Sequence, residues 1–216
     1  ALFGLLMLGY IYGGYLIVLK LFARVGSNHC LELALDSFRP TVTVLVTVFN
    51  EQEKIRDRIH NIQSCDYHPG SIEILVASDG STDGTDDLVT QLATEDPRIR
   101  LFRPVRRKGK TDTQNQAIAT AVGEIIVFTD ANTRFDPAFL RQITRNFANP
   151  GVGGVDGRLF FMIDNNDGVS KSQGFYWRQE LMLRRLESCL GILAVASGAC
   201  MAIRKSLFRN MQMTVG

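Results

Sequence analysis

Along residues 41–129 the chain alternates between two patterns. Apolar, β-branched runs at 41–49, 72–78, 99–103 and 124–129 read as strands. Between them, 51–64, 85–94 and 111–122 are more polar and carry apolar residues at helical spacing, as with Ile55, Ile59 and Ile62. Strands alternating with helices of this length predict βαβ units, and so an α/β domain built on a mostly parallel sheet with helices on both faces. Ligands of such a sheet bind beyond the carboxyl ends of its strands. Each of those ends carries polar chemistry: Phe49-Asn50-Glu51, Asp79-Gly80-Ser81, a basic loop running to Lys110, and Asp130-Ala131-Asn132. Past residue 150 the pattern loosens. A glycine-interrupted strand is expected over 152–163, a helix with Trp177, Leu181 and Leu186 over 169–188, and a small-residue strand or turn over 194–203.

Residues 1–19 contain no charged side chain. As a helix they would span roughly 28 Å, close to the thickness of bilayer hydrocarbon. A transmembrane helix over 1–24 is therefore expected, then a linker over 25–40 and the α/β domain over 41–216. A signal peptide would place its basic residues before the apolar run, whereas Lys20 and Arg24 follow it; a buried core helix is the other alternative. The positive-inside rule then puts the domain on the cytoplasmic side of the inner (plasma) membrane.

A net charge of +2, from 24 basic and 22 acidic side chains, excludes a strongly cationic duplex-binding protein, and no nucleic-acid partner is expected. Cys30, Cys65, Cys189 and Cys200 show no paired metal-site spacing, so reduced thiols are the expectation. His29, His60 and His68 form no metal or catalytic pattern and read as surface residues. The chain starts at Ala1 and stops at Gly216, which reads as a segment of something longer.

The mean charge hides one cluster. Arg98, Arg100, Arg103, Arg106, Arg107, Lys108 and Lys110 occur with no acidic residue among them. The run ends at the mouth of a predicted helix, where backbone N–H groups and the helix dipole favour an anion, and a diphosphate suits Lys110. The segment from Pro104 to Thr111 comes close to a phosphate-binding P-loop, with Asp130 available for magnesium, so a P-loop ATPase is a competing reading. Proline stands where that loop needs its first glycine, and it supplies neither an N–H nor a free φ. Residues 151–157 fail the dinucleotide pattern, because Asp156 replaces a glycine and no helix follows. Asp83 is a candidate helix N-cap. Asp79, ending an apolar strand, has no structural need for its charge. Asp130 and Asn132 place two oxygen ligands at a strand end, suited to a sugar hydroxyl or a hard cation.

Taken together, residues 44–51, 77–85, Lys108-Gly109-Lys110 with Asn115, and 128–133 resemble, in order and spacing, the family 2 glycosyltransferases, inverting enzymes of GT-A fold. Tyr176-Trp177-Arg178 and Ser197-Gly198-Ala199 are similar to the membrane-attached polysaccharide-synthesis members. The resemblance implies a UDP-sugar donor, a hydroxyl acceptor on a glycan or lipid-linked glycan, and Mg²⁺ or Mn²⁺. Thr47, Phe49 and Glu51 would belong to the nucleotide pocket, with Phe49 in place of the usual tyrosine. Asp79 would accept the uracil imide proton, Lys110 would hold the diphosphate, and Asp130 the ribose or donor sugar. Asp130 and Asn132 would hold the metal; Asn132 stands where the family often has aspartate, which lowers the expected affinity. Ser197 and Gly198 would lie on the acceptor side.

An inverting transfer also needs a carboxylate to deprotonate the acceptor. The family places it after the Ser-Gly segment, yet residues 188–216 contain no Asp or Glu, and the Gln-x-x-Arg-Trp element is absent. The base is expected beyond Gly216, with Asp156 and Asp164 as weaker substitutes. A non-catalytic nucleotide-sugar-binding module is the alternative that follows.

Overall fold

The computed structural model describes residues 4, 7, 10–25, 37–159, 170–192 and 196–212. Contacts divide the chain into two compact units, Ala1–Glu32 with Leu159–Ala196, and Leu33–Arg158 with Ser197–Gly216.

The larger unit is the α/β domain. Strands β1 (Val42–Val48), β2 (Ile72–Ser78), β3 (Ile99–Phe102) and β4 (Ile125–Asp130) alternate with helices that follow β1, β2 and β3 respectively. These are α2 (Gln52–Gln63), α3 (Thr85–Glu95) and α4 (Lys110–Thr120). A short helix, α5 (Phe139–Thr144), follows β4, and β5 (Gly154–Asp156) and β6 (Met201–Arg204) complete one sheet in the order β3-β2-β1-β4-β6-β5. The first four strands in that order are parallel, whereas β6 runs antiparallel to both β4 and β5. The sheet is therefore mixed, in a GT-A-like arrangement.

Every residue of β1 and β2 is buried, because both faces are covered. Val42, Val44, Val46, Ile74 and Val76 face Ile55, Ile59 and Ile62 of α2 and Val89 and Leu92 of α3. The alternate residues Leu45, Leu75, Ile126 and Phe128 meet Ala117 and Ile118 of α4. One glycine is required by close approach: a Cβ on Gly123 would lie 2.3 Å from the Thr43 amide nitrogen.

The smaller unit contains α1 (Tyr15–Val25), entered through a π-helical turn at Tyr10–Gly14, and α6 (Ser170–Cys189). Tyr15 Oη donates to Glu187 Oε1 at 2.9 Å. The expected transmembrane helix is overturned here: among the described residues no helix is long and apolar enough to cross a membrane. The described α-helical segment, Tyr15–Val25, has 11 residues, about 17 Å against the roughly 30 Å required, and it carries Lys20 and Arg24 within it. The expectation of an inner (plasma) membrane location with a cytoplasmic domain rested on that span and falls with it.

Two further departures come from the second half. The strand expected over 152–163 is the three-residue β5, and residues 160–169, Asp164 among them, lie outside the described residues. Cys189 is disulfide-bonded, against the expectation of reduced thiols, while Cys65 and Cys200 are buried thiols outside any disulfide.

Candidate active site

The carboxyl ends of β1, β2 and β4 are aligned by register, since Thr47 pairs with Ala77 on one side and Asp130 on the other. The chain leaves β1 through Asn50, the one described non-glycine residue with positive φ, at 54°. Its amide donates to Ser81 Oγ at 3.1 Å, and its Oδ1 accepts Thr82 N at 2.8 Å. Glu51 N donates to Thr85 Oγ1 and Gln52 N to Asp83 Oδ2, so the loops after β1 and β2 are stitched into one rim. The Thr85 hydroxyl bonded to Asp83 holds that carboxyl below its usual range. Gly84, at φ 91°, is the actual N-cap of α3, not Asp83. The Glu51 side chain turns to Lys54, 3.0 Å away at the surface, so Glu51 serves the rim through its backbone.

Asp79 is 5% exposed and organises the loop after β3. Its Oδ1 accepts the amides of Lys108 and Gly109, both at 3.2 Å, and the Thr113 hydroxyl at 2.9 Å. Its Oδ2 lies 3.5 Å from Arg107 Nε, and the Arg107 guanidinium stacks 3.8 Å from the centroid of the Phe49 ring. Phe49, Asp79 and Arg107 thus form one layered cluster. Two amides that a P-loop would turn toward phosphate are already used by Asp79, which removes the support for that reading.

Lys110 opens α4 and places Nζ 2.6 Å from Asp130 Oδ1 at the end of β4. Thr47 Oγ1 accepts Gln114 Nε2 at 2.9 Å, and Asn115 pairs through both its amide oxygen and its amide nitrogen with the backbone of Met211. Asn132 is exposed two residues beyond Asp130. On the far strand pair, Ser197 N donates to Asp156 Oδ1 at 2.8 Å, so Asp156 supports the Ser197-Gly198 turn entering β6.

Beneath β4, Arg58 is 2% exposed and donates to Thr129 Oγ1 and Asn61 Oδ1. Burial pushes its guanidinium down to about 10, still charged at neutral pH. Nearby, burial pushes the Cys65 thiol up to about 11, which keeps it protonated and unreactive.

Arg58, Thr113 and Gln114 escaped the sequence analysis, and Arg107 entered it only as one cation of the basic run. Thr113 and Gln114 carried a usable signal, being polar residues on the same α4 face as Ala117 and Ile118. Arg58 sat unremarked between Ile55 and Ile62 on the buried face of α2.

Residues 43–211 match the family model described as glycosyl transferase family 2, a span that includes Thr47, Phe49, Asp79, Lys110, Asp130, Asn132, Ser197 and Gly198. The chain is 27% identical over 131 residues to the glycosyltransferase AglE of Haloferax volcanii, covering 61% of this chain and 43% of that protein. It is 29% identical over 170 residues to an N-acetylglucosaminyltransferase of Azorhizobium caulinodans, covering 77% of this chain and 43% of that protein. The chain therefore spans less than half the length of these curated relatives. Among solved structures, a mannosyltransferase from Pyrobaculum calidifontis in complex with GDP-Man and Mn²⁺ superposes with a TM-score of 0.73 at 27% identity, covering 94% of this chain and 55% of that one. A site at the carboxyl edge of a GT-A-like sheet, carried on residues that all fall inside the matched span, agrees with what the family model finds: this chain belongs to glycosyl transferase family 2.

Proposed function

We propose that this chain binds the donor for an inverting glycosyl transfer, taking a UDP-sugar with a divalent cation and serving a hydroxyl acceptor on a glycan or lipid-linked glycan. The observation that carries the reading is the convergence of four unlike groups at one sheet edge. An aromatic face (Phe49), a buried carboxylate (Asp79), a cation at a helix start (Lys110) and a strand-terminal carboxylate (Asp130) match, in that order, a base, its N–H, a diphosphate and a ribose or sugar.

Thr47 and Phe49 would bound the base pocket. Arg107, whose side chain is 60% exposed, can leave the Phe49 face, so a base would stack there and offer an N–H to Asp79 Oδ2. Lys110 would exchange Asp130 for the diphosphate, a stronger partner because it carries more charge. Asp130 and Asn132 would hold the cation, and their oxygens suit Mg²⁺ or Mn²⁺. Among the described residues no group of three or more His, Cys, Asp or Glu could hold a metal, so the remaining ligands would be diphosphate oxygens and water, the usual pattern for Mg²⁺. A divalent cation there would offset the charge gathering on the departing diphosphate.

Ser197 and Gly198 would border the acceptor. As the acceptor hydroxyl attacks the sugar and the bond to the diphosphate breaks, its proton passes to a carboxylate base. We place that base outside residues 188–216, which contain no carboxylate side chain.

Calorimetric titration with UDP, GDP, ADP and ATP, each with and without Mn²⁺, tests the reading. UDP should bind most tightly and gain from the metal. A preference for GDP, as the mannosyltransferase neighbour's bound donor would suggest, would reassign the base. A preference for ATP would overturn the proposal.

A further inference from the structure

The loop that follows β4 rests at both ends on one buried cation. Arg58 Nη2 donates to Thr129 Oγ1 at 2.7 Å, one residue before Asp130, and Nη1 donates to Asn61 Oδ1 at 2.5 Å. The guanidinium also lies 4.0 Å from the centroid of the Phe135 ring, three residues beyond Asn132. Asn61 completes the contact: its Oδ1 accepts Phe135 N at 2.7 Å, and its Nδ2 donates to Phe135 O at 3.0 Å. The segment carrying Asp130 and Asn132 is thereby bracketed, with Thr129 and Phe135 both held against Arg58.

Space filling alone does not account for this residue. Burying a guanidinium is costly, and an apolar side chain of similar volume fills such a site at lower cost. Arg58 Nε has no hydrogen-bond partner among the described residues, so the charge is not even fully satisfied. An apolar side chain could not supply the planar fork that reaches Thr129 and Asn61 together, or a positive charge beneath Asp130. That carboxylate is felt at the guanidinium, where it raises the pKa against the larger effect of burial.

We infer that Arg58, acting through Thr129, Asn61 and Phe135, is a positioning residue that sets the loop bearing Asp130 and Asn132 before the cation and donor arrive. The inference rests on the function proposed above. A loop fixed in advance loses less freedom when its oxygens engage a cation, and supporting contacts of this kind typically change metal affinity by 10–100-fold.

Four variants test it: Arg58→Met, Arg58→Lys, Thr129→Val and Asn61→Ala. Mn²⁺ is titrated into each at saturating UDP, or GDP if that binds more tightly, and UDP is titrated separately without metal. Arg58→Met should weaken Mn²⁺ binding about tenfold and Thr129→Val about threefold, while metal-free UDP binding stays within about twofold. Arg58→Lys, which keeps the charge and loses the fork, should fall between wild type and Arg58→Met. If Arg58→Met does not melt cooperatively, Thr129→Val and Asn61→Ala decide. Mn²⁺ affinity within twofold of wild type in every folded variant overturns the inference. If the wild-type chain binds neither nucleotide nor Mn²⁺, the functional reading fails instead, and the brace is then judged by amide hydrogen exchange over 131–136. Arg58→Met should speed that exchange at least tenfold, and unchanged exchange overturns the brace.

Discussion

Asp79 divides its two oxygens between two tasks. Oδ1 holds the amides of Lys108 and Gly109 and the Thr113 hydroxyl, while Oδ2 faces Arg107 and, on the proposed reading, a nucleobase. Asp79→Ala should therefore show two separable losses. Stability should fall by about 2 kcal/mol, the scale of buried donors left unsatisfied, which lowers Tm by roughly 4–8 °C for a domain of this size. UDP affinity should fall far more than pyrophosphate affinity, and equal losses for the two ligands would reduce Asp79 to a loop brace. Lys110 predicts a change of opposite signs. Lys110→Ala should cost roughly 1.5–3 kcal/mol of UDP binding, the value of a charge-assisted hydrogen bond, yet strengthen Mn²⁺ binding to the nucleotide-free chain by releasing Asp130. Calorimetry reads both, and an unchanged UDP dissociation constant would return Lys110 to a surface ion pair. Asn132→Asp adds charge at the same place, so it should tighten Mn²⁺ without any loss of UDP affinity; unaltered Mn²⁺ binding would remove Asn132 from the metal set.

The basic run from Arg98 to Lys110, through β3 to the start of α4, shows what a sequence can and cannot disclose about an element. Read along the chain, its seven cations are uncompensated. In the fold, Arg98 pairs with Asp96, Arg100 with Glu73, Arg103 with Asp86, Arg107 with Asp79 and Lys110 with Asp130. Glu73, Asp79 and Asp130 lie on or just beyond neighbouring strands, so their proximity depends on sheet order, which local pattern does not contain. The strands and helices of 41–130 were legible because doubly covered strands are predominantly apolar and the intervening helices carry apolar residues at helical spacing. The bounds and pairing of β5 and β6 were not, because these strands are three and four residues long and are defined by antiparallel pairing with distant partners. The apolar run at the N-terminus misled for a related reason, since hydropathy alone does not reveal that this helix meets α6 of its own unit, where Tyr15 bonds to Glu187. The gathering of polar residues at strand ends was legible from topology, whereas the buried partners that hold them were not. One pair in this segment makes a pH prediction. The Arg98 guanidinium bonded to Asp96 holds its carboxyl down to about 2, below the roughly 3.9 of an unfolded chain. A depressed carboxyl stabilises the fold above pH 4 and loses that contribution as pH falls from about 4 to 2. Chemical denaturation across that range should show Asp96→Asn with a shallower acid limb than wild type, and parallel limbs would mean the pair is screened by solvent.

At the scale of the whole molecule, the proposed donor side is better furnished than the proposed acceptor side among the described residues. The proposed donor groups lie on or just beyond β1, β2 and β4 and at the start of α4, all inside the region that matches the family. On the proposed acceptor side, the described carboxylate beside Ser197 is Asp156, and its Oδ1 accepts the Ser197 amide at 2.8 Å, a bond that supports the turn. A base in that position would keep Oδ1 on the Ser197 amide and take the proton on Oδ2, while residues 188–216 contain no carboxylate side chain. This arrangement predicts a separation of binding from turnover in these 216 residues: UDP and Mn²⁺ should bind, while sugar transfer stays far below that of the longer curated relatives. General-base assistance is typically worth about 10²–10⁴-fold in rate, so even a correctly held donor would be consumed slowly. Radiolabelled UDP-sugars offered with a range of glycan and lipid-linked acceptors measure transfer, and calorimetry on the same sample measures binding. Binding without transfer supports a base supplied from elsewhere. Fast transfer would sink that reading and point to Asp156, in which case Asp156→Asn should abolish turnover while leaving UDP affinity unchanged, because the amide oxygen can still accept the Ser197 N–H but cannot take the acceptor's proton.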